Sequence, residues 1–376
     1  LHIQLAVRPT VDDWQLDCVM DGYQQATIHL GHDDEGDIVA TFVRRDPSKL
    51  PMSARWRRQR FALRGHRLAV MYVHGWNDYF YRRHESEFWE SLGIPFYAVI
   101  CASSGGRCGM ARPLDISRIC TIMREFNALR DLVVAEQGEQ VRILLVAHSQ
   151  GGLSSVLWAE FAAAAHVEAV ALDSPWLELQ GNRDVPQLST PVVQAFQLGG
   201  GKTVMPMRDP GFYGRCIDCE TGGDWDYLRH PLVDPQRFFP ARVDAGDHNA
   251  QAEVSRRLDI RIPVLVCTSD RTMLQPTWDE AMREVDSVLD ITAIRQAALN
   301  LGDVVTLATI RGGCMIEPVA AAARRRYFGV VADWASLMAW RRVIPPAHLR
   351  TALDAVAAAG SHVGGVNPDV GPDAKS

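Results

Sequence analysis

Several features are missing from this 376-residue sequence, and each absence removes a class of function. No stretch approaches the ~18 uninterrupted apolar residues of a bilayer-crossing helix, so no integral membrane segment is expected. There is no excess of basic charge. The 39 Lys and Arg against 45 Asp and Glu leave a net charge of −6, which provides no overall attraction for nucleic acid or an anionic membrane. The opening residues, LHIQLAVRPTVDDWQ, lack a basic start followed by an apolar core, so no signal peptide is expected there. The eight cysteines are scattered singly apart from Cys216 and Cys219, and a chain of this size does not need disulfides. Reduced thiols in a cytoplasmic protein are the expectation. Cys216-Ile217-Asp218-Cys219 has half the spacing of a zinc site without a second pair, so no metal is expected. The run LGGGKT at 198–203 would need glycine at 196 to form a phosphate loop, and Phe196 stands there.

What is present is a globular α/β pattern. Hydrophobic residues make up 47%, enough for a sizeable core. Residues 24–44 read as a β-hairpin about GHDDEG. Buried strands follow in RLAVMYVHG (67–75), PFYAVI (95–100), VRILLVAHS (141–149), VEAVALDSP (167–175), IPVLVCTSD (262–270) and VVTLATI (304–310). Helical patterns lie between them. In one, Ile119, Met123, Phe126, Leu129 and Val133 recur at helical spacing. Apolar strands alternating with helices predict a mainly parallel sheet covered on both faces. The expected division is an N-terminal hairpin extension (1–65), a core (66–175 and 261–340), a cap inserted at 176–260 and a disordered tail from 341 to 376. The basic run ARWRRQRFALRGHR (54–67) reads as a solvated approach to the first core strand, with a phosphate- or headgroup-attracting rim as the alternative.

One stretch carries chemistry. Val146-Ala147-His148-Ser149-Gln150-Gly151-Gly152 joins an apolar strand to a helix, and a sharp turn there lifts a serine hydroxyl above a sheet. Small neighbours allow strand and helix to approach, with Ala147 replacing the first glycine of Gly-x-Ser-x-Gly. Ser149 is thus the candidate nucleophile; an ordinary helix N-cap is the competing reading. Upstream, YVHGWND (72–78) suits an oxyanion hole, with backbone N–H groups from Trp76 and Gln150 and with His74 shaping the loop.

These segments together, HGWNDYF, AHSQGG, LDSPW, VCTSD and VLDI, resemble the α/β-hydrolase superfamily from about residue 66 to 340. They are most similar to its serine-aminopeptidase and monoglyceride-lipase or lysophospholipase-like branch. The resemblance implies an α/β-hydrolase fold with an inserted cap. It also implies a cofactor-free serine hydrolase that cleaves a small carboxylic ester of acyl or lipid type through an acyl-enzyme. Triad order is then Ser, Asp or Glu, His. Asp286 is the leading acid, Asp270 the alternative, and Asp173 a third candidate. The aromatic residues Phe212, Tyr213, Trp225 and Tyr227 would line an apolar cap.

The base is missing. The resemblance places the histidine near Met315, yet no histidine occurs between His248 and His348. Cys314 and Glu317 are nearby but lack the two-nitrogen relay of an imidazole. The codons for Gly313-Cys314-Met315-Ile316, read one base earlier, permit Leu-His-Asp, and a similar shift at Val99-Ile100-Cys101-Ala102 permits Asp-Leu-Arg. Two short out-of-frame patches would therefore account for the loss. A non-catalytic protein of the same fold, either a ligand binder or a decayed enzyme, is the alternative.

Overall fold

The side chains of RLAVMYV divide between two cores. Strand β4 (Arg67–Val73) sends Leu68, Val70 and Tyr72 to one side and Ala69, Met71 and Val73 to the other. Successive Cβ atoms on a strand point to opposite faces, so a strand apolar throughout is stable only when both faces are covered. Strand β6 (Val141–His148) behaves alike, with Leu144 and Val146 opposed to Ile143, Leu145 and Ala147.

In this computed structural model the described residues are 14–17, 20–33, 36–75, 80–100, 119–161, 165–177, 205–206, 212–217, 240–241, 253–313, 321–340 and 343–358. Nine strands form the main sheet. The others are β1 (Gln15–Leu16), β2 (Tyr23–Asp33), β3 (Gly36–Arg45), β5 (Phe96–Ile100), β7 (Val167–Asp173), β10 (Val264–Ser269) and β11 (Val305–Ile310), in the order β1-β2-β3-β5-β4-β6-β7-β10-β11. The first three strands are antiparallel to their neighbours, and β5 through β11 run parallel. The short strands β8 (Met205–Pro206) and β9 (Pro240–Ala241) pair separately.

Helices cover both faces. Helix α2 (Arg83–Ser91) contributes Phe88 and Trp89 to one core, where α7 (Ala321–Met338) adds Tyr327, Phe328 and Val331. The opposite core receives Phe126 and Leu129 from α3 (Ile119–Gln137) and Val156 and Trp158 from α4 (Ser149–Phe161). Helix α6 (Ile291–Ala298) closes that face with Ile294, and the Asp290 side chain caps its first turn at Thr292 N, 2.8 Å away. An α/β layer architecture with a mainly parallel sheet is therefore present, as the strand pattern predicts.

Two expectations change. The hairpin is no appendage, because β3 pairs with β5 through Thr41–Ile100 to Arg44–Tyr97 and so extends the main sheet. The tail expected to be disordered from 341 carries α8 (Pro346–Ala358), with Leu349 and Ala352 buried in the core beside α7. Polar composition around it hid a short apolar face that only packing against α7 and α2 stabilises. Between β3 and β4 lies α1 (Met52–Leu63), which buries only Ala54 and Phe61. The expected cap falls largely outside the described residues. Within it, α5 (Phe212–Ile217) packs Phe212 on Trp278 with ring centroids 5.9 Å apart.

Candidate active site

Parallel strands end at one edge of a sheet, so the turns after β4, β6, β7, β10 and β11 gather there. At the end of β6 the backbone reverses sharply. Ser149 has φ 49°, a left-handed conformation that a non-glycine residue adopts only when its surroundings enforce it. The enforcement comes from neighbouring backbone. A Cβ at Gly151 would overlap the His74 carbonyl oxygen and lie 2.9 Å from that of Val73. One at Gly152 would lie 2.7 Å from Pro175 Cβ. Ala147 fits because its own side chain is buried in the core on the α4 face and does not face the turn. Trp176 N donates to the Ser149 carbonyl at 2.9 Å, which fastens the loop after β7 to the elbow.

The turn after β4 sits against the same point. A Cβ on Gly75 would be 2.7 Å from His148 Nδ1 and 3.2 Å from Ser149 Cβ, so the glycine admits the elbow side chains. His74 is buried and its Nδ1 donates to the Gly75 carbonyl at 2.7 Å, the loop-shaping position expected of it. Gln150, buried at the start of α4, brings its backbone N–H to the helix N-terminus beside Ser149, while Trp76 lies outside the described residues.

The three candidate acids occupy different environments. Asp173, at the end of β7, is buried and bound by Arg82 Nη2 at 2.8 Å. Asp270 follows β10 and is partly exposed. Its Oδ1 accepts from Gly312 N at 3.3 Å, at the turn leaving β11. Nearby, Ser269 Oγ donates to the Gly313 carbonyl at 2.6 Å, so the chain entering 314 is tied to the end of β10. Asp286 is fully buried, and its Oδ1 accepts from Leu289 N at 2.7 Å and Val288 N at 3.0 Å. Its Oδ2 has no hydrogen-bond partner among the described residues. Burial pushes the Asp286 carboxyl up to about 6. The two backbone N–H groups and nearby His148 pull against that, and Asp173 adds to it. Backbone pairing of Asp286 with Arg271 and Met273, at 2.9 and 2.8 Å, holds the two loop aspartates at the same strand end.

Met315, near which the resemblance places the base, lies outside the described residues together with Cys314 and Glu317. Of the histidines flanking the gap, His348 is on α8 beside Arg57 and Arg60, away from this edge. His148, at the end of β6, lies close enough to Asp286 to favour the ionised carboxylate. No feature of the sequence marks the brace beneath the site. Arg82 is buried; its Nε donates to Tyr72 OH at 2.9 Å, and Glu85 lies 3.8 Å from its Nη1. This brace ties the segment after the Gly75 turn to the end of β7. In YFYRRHESEFW nothing distinguishes the buried Arg82 from its half-exposed neighbour Arg83.

The sequence profile of the alpha/beta hydrolase family matches residues 70–293, and the chain belongs to that family. Among solved structures, a soluble variant of monoglyceride lipase from Saccharomyces cerevisiae in complex with a substrate analogue superposes with a TM-score of 0.57. It shares 9% identity over 86% of this chain and 97% of that one. A lipase in its open form gives a TM-score of 0.52 at 14% identity, over 89% of this chain and 99% of that one. No curated protein matches the sequence.

Proposed function

We propose that the chain is built as a serine hydrolase of carboxylic esters, acting on acyl or lipid-type substrates through an acyl-enzyme. The observation that carries the proposal is Ser149 at φ 49° on the strand-to-helix turn, with the Gly75 backbone against its Cβ. That backbone strain has a use only if the hydroxyl must stand clear of the sheet edge. In that design Ser149 Oγ attacks the ester carbonyl as its proton passes to an imidazole base, and the N–H groups of Gln150 and Trp76 receive the oxyanion. Its collapse expels the alcohol, which takes the proton back and leaves the acyl-enzyme. Asp286 is the acid that orients the base, and its Oδ2 is the atom left for an imidazole. Asp270 is the alternative, since it adjoins Gly312 and hence the loop where the family carries its histidine. The lipid-type substrate follows from the resemblance to monoglyceride lipases and from Phe212 and Trp278 packed together beside the loop that bears the acid.

A second reading rests on a specific observation, the absence of histidine from 249 to 347. Loss of the base from such a site costs on the order of 10⁶ in kcat, leaving roughly 10³–10⁴ over water. In that reading the protein is a non-catalytic member of the fold, a ligand binder or an inactive remnant. A fluorophosphonate probe separates the readings. The catalytic design predicts slow labelling of the wild type that disappears in Ser149→Ala, and equal labelling of both would remove Ser149 from the mechanism.

A further inference from the structure

Helix α1 buries Ala54 and Phe61 and turns its opposite face outward. On that outer face Met52 is 76% exposed, Trp56 54% and Leu63 79%. At 3.6 residues per turn these three fall within about 40° of arc, a single apolar ridge directly opposite the buried pair. Arg55 flanks the ridge on one side, and Arg60 and Arg64 on the other. Residues 51–67 hold six arginines and no acidic residue, in a chain whose net charge is −6.

The charges are largely uncompensated. Among the described residues only Arg58 is paired with a carboxylate, that of Glu90. Arg55 donates to the Pro47 and Ser48 carbonyls, Arg57 to that of Ser91 and Arg67 to that of Gln137, contacts that leave each positive charge in place. Arg60 lies over the Trp56 ring, 4.6 Å from its centroid. His348, packed nearby, is held below its ordinary pKa by burial and then by Arg57 and Arg60. On the Arg55 side of the helix, between the ridge and the buried face, a groove of about 640 Å³ is walled by Arg55, Arg58, His66, Arg67, Leu50 and Pro95.

An apolar ridge flanked by unpaired arginines has the two-part character of a helix that lies in a membrane interface, apolar side chains at its centre and cations at its borders. We propose that α1 is an interfacial helix that docks this protein onto an anionic lipid surface, with Met52, Trp56 and Leu63 entering the acyl boundary and Arg55, Arg60 and Arg64 meeting the headgroups. The helix connects the end of β3 to the start of β4, so it lies at the sheet edge opposite Ser149, roughly 20 Å away along a seven-residue strand. Docking through α1 therefore holds the molecule at the surface with the Ser149 edge facing away, and it does not depend on catalysis.

Vesicle flotation of the full chain tests this. Phosphatidylcholine vesicles containing phosphatidylglycerol should carry the wild type, pure phosphatidylcholine vesicles should carry far less, and raised salt should release it. Arg60→Gln with Arg64→Gln should weaken partitioning about 30-fold, near fivefold for each charge. Trp56→Ser with Leu63→Ser should weaken it at least tenfold, with the far-ultraviolet circular dichroism unchanged because all four side chains point outward. No flotation with anionic vesicles, or flotation indifferent to these substitutions, would overturn the proposal. Tight binding to heparin or duplex DNA that ignores Trp56→Ser and Leu63→Ser, with no vesicle binding, would make the helix a polyanion patch instead.

Discussion

Asp286 is a carboxyl group placed where ionisation is costly. Burial raises its pKa from 3.8 to about 6, so the folded chain holds this proton more tightly than the unfolded one. Stability from the group is complete below pH 3.8 and is lost as pH rises through about 6, by about 3 kcal/mol in all. Asp286→Asn keeps an acceptor for Leu289 N and Val288 N and removes the titration. Urea unfolding at roughly pH 4.5, low in that window, and roughly pH 7, above it, should show a larger loss between the two for wild type than for the variant; parallel losses would mean that Asp286 is not buried as a carboxyl. Gly151 sets a second residue-scale limit. Gly151→Ala forces a methyl group onto the His74 carbonyl and should cost about 1–3 kcal/mol. It should also abolish fluorophosphonate labelling by displacing Ser149.

Among whole elements, the segment between β4 and α2 depends on one buried cation. Arg82 compensates Asp173 and lies close to Glu85, whose carboxyl is raised to about 7 by burial, with Arg82 lowering it and Asp173 adding to the rise. Arg82→Met strands both acids in the core and should lower unfolding free energy by about 3–5 kcal/mol. Combining it with Asp173→Asn and Glu85→Gln should restore most of that, because the penalty belongs to the unpaired charges. No recovery in the triple variant would assign the loss to packing instead. Helix α8 is the other dependent element. A chain ended at Pro345 loses Leu349 and Ala352 from the core and should be destabilised by at least about 2 kcal/mol, with increased dye binding to exposed apolar surface.

For the molecule as a whole the decisive experiment is repair. Gly312 and Gly313 are held to Asp270 and Ser269 at the end of β10, and Asp286 pairs with the backbone of Arg271 and Met273 just beyond Asp270. Met315→His with Cys314→Leu and Ile316→Asp should raise hydrolysis of a short p-nitrophenyl ester by several orders of magnitude, since the base is the costliest missing part. The gain should vanish with Ser149→Ala and shrink sharply with Asp286→Ala. Loss with Asp270→Ala alone would assign the acid to Asp270. A folded triple variant with no gain would favour the non-catalytic reading.

Local order in the chain was enough to establish the layers and the sharp turn at Ser149. Strands apolar throughout require two covered faces, and Ser149 between a strand and paired glycines defines a sharp strand-to-helix turn. Those properties are short-range, and every residue that determines them lies within a few positions of the next. The rest was decided by contacts between distant segments. Arg82 meets Asp173 across 91 positions, and Asp270 and Asp286 are drawn to one strand end by a backbone bridge. Helix α8 is ordered only because α2 and α7 offer it an apolar bed. The basic run at 54–67 looked like a solvated approach in sequence. Only the fold showed which face it buries, and therefore that Met52, Trp56 and Leu63 are left outside among arginines, because burial depends on neighbours that the sequence does not place.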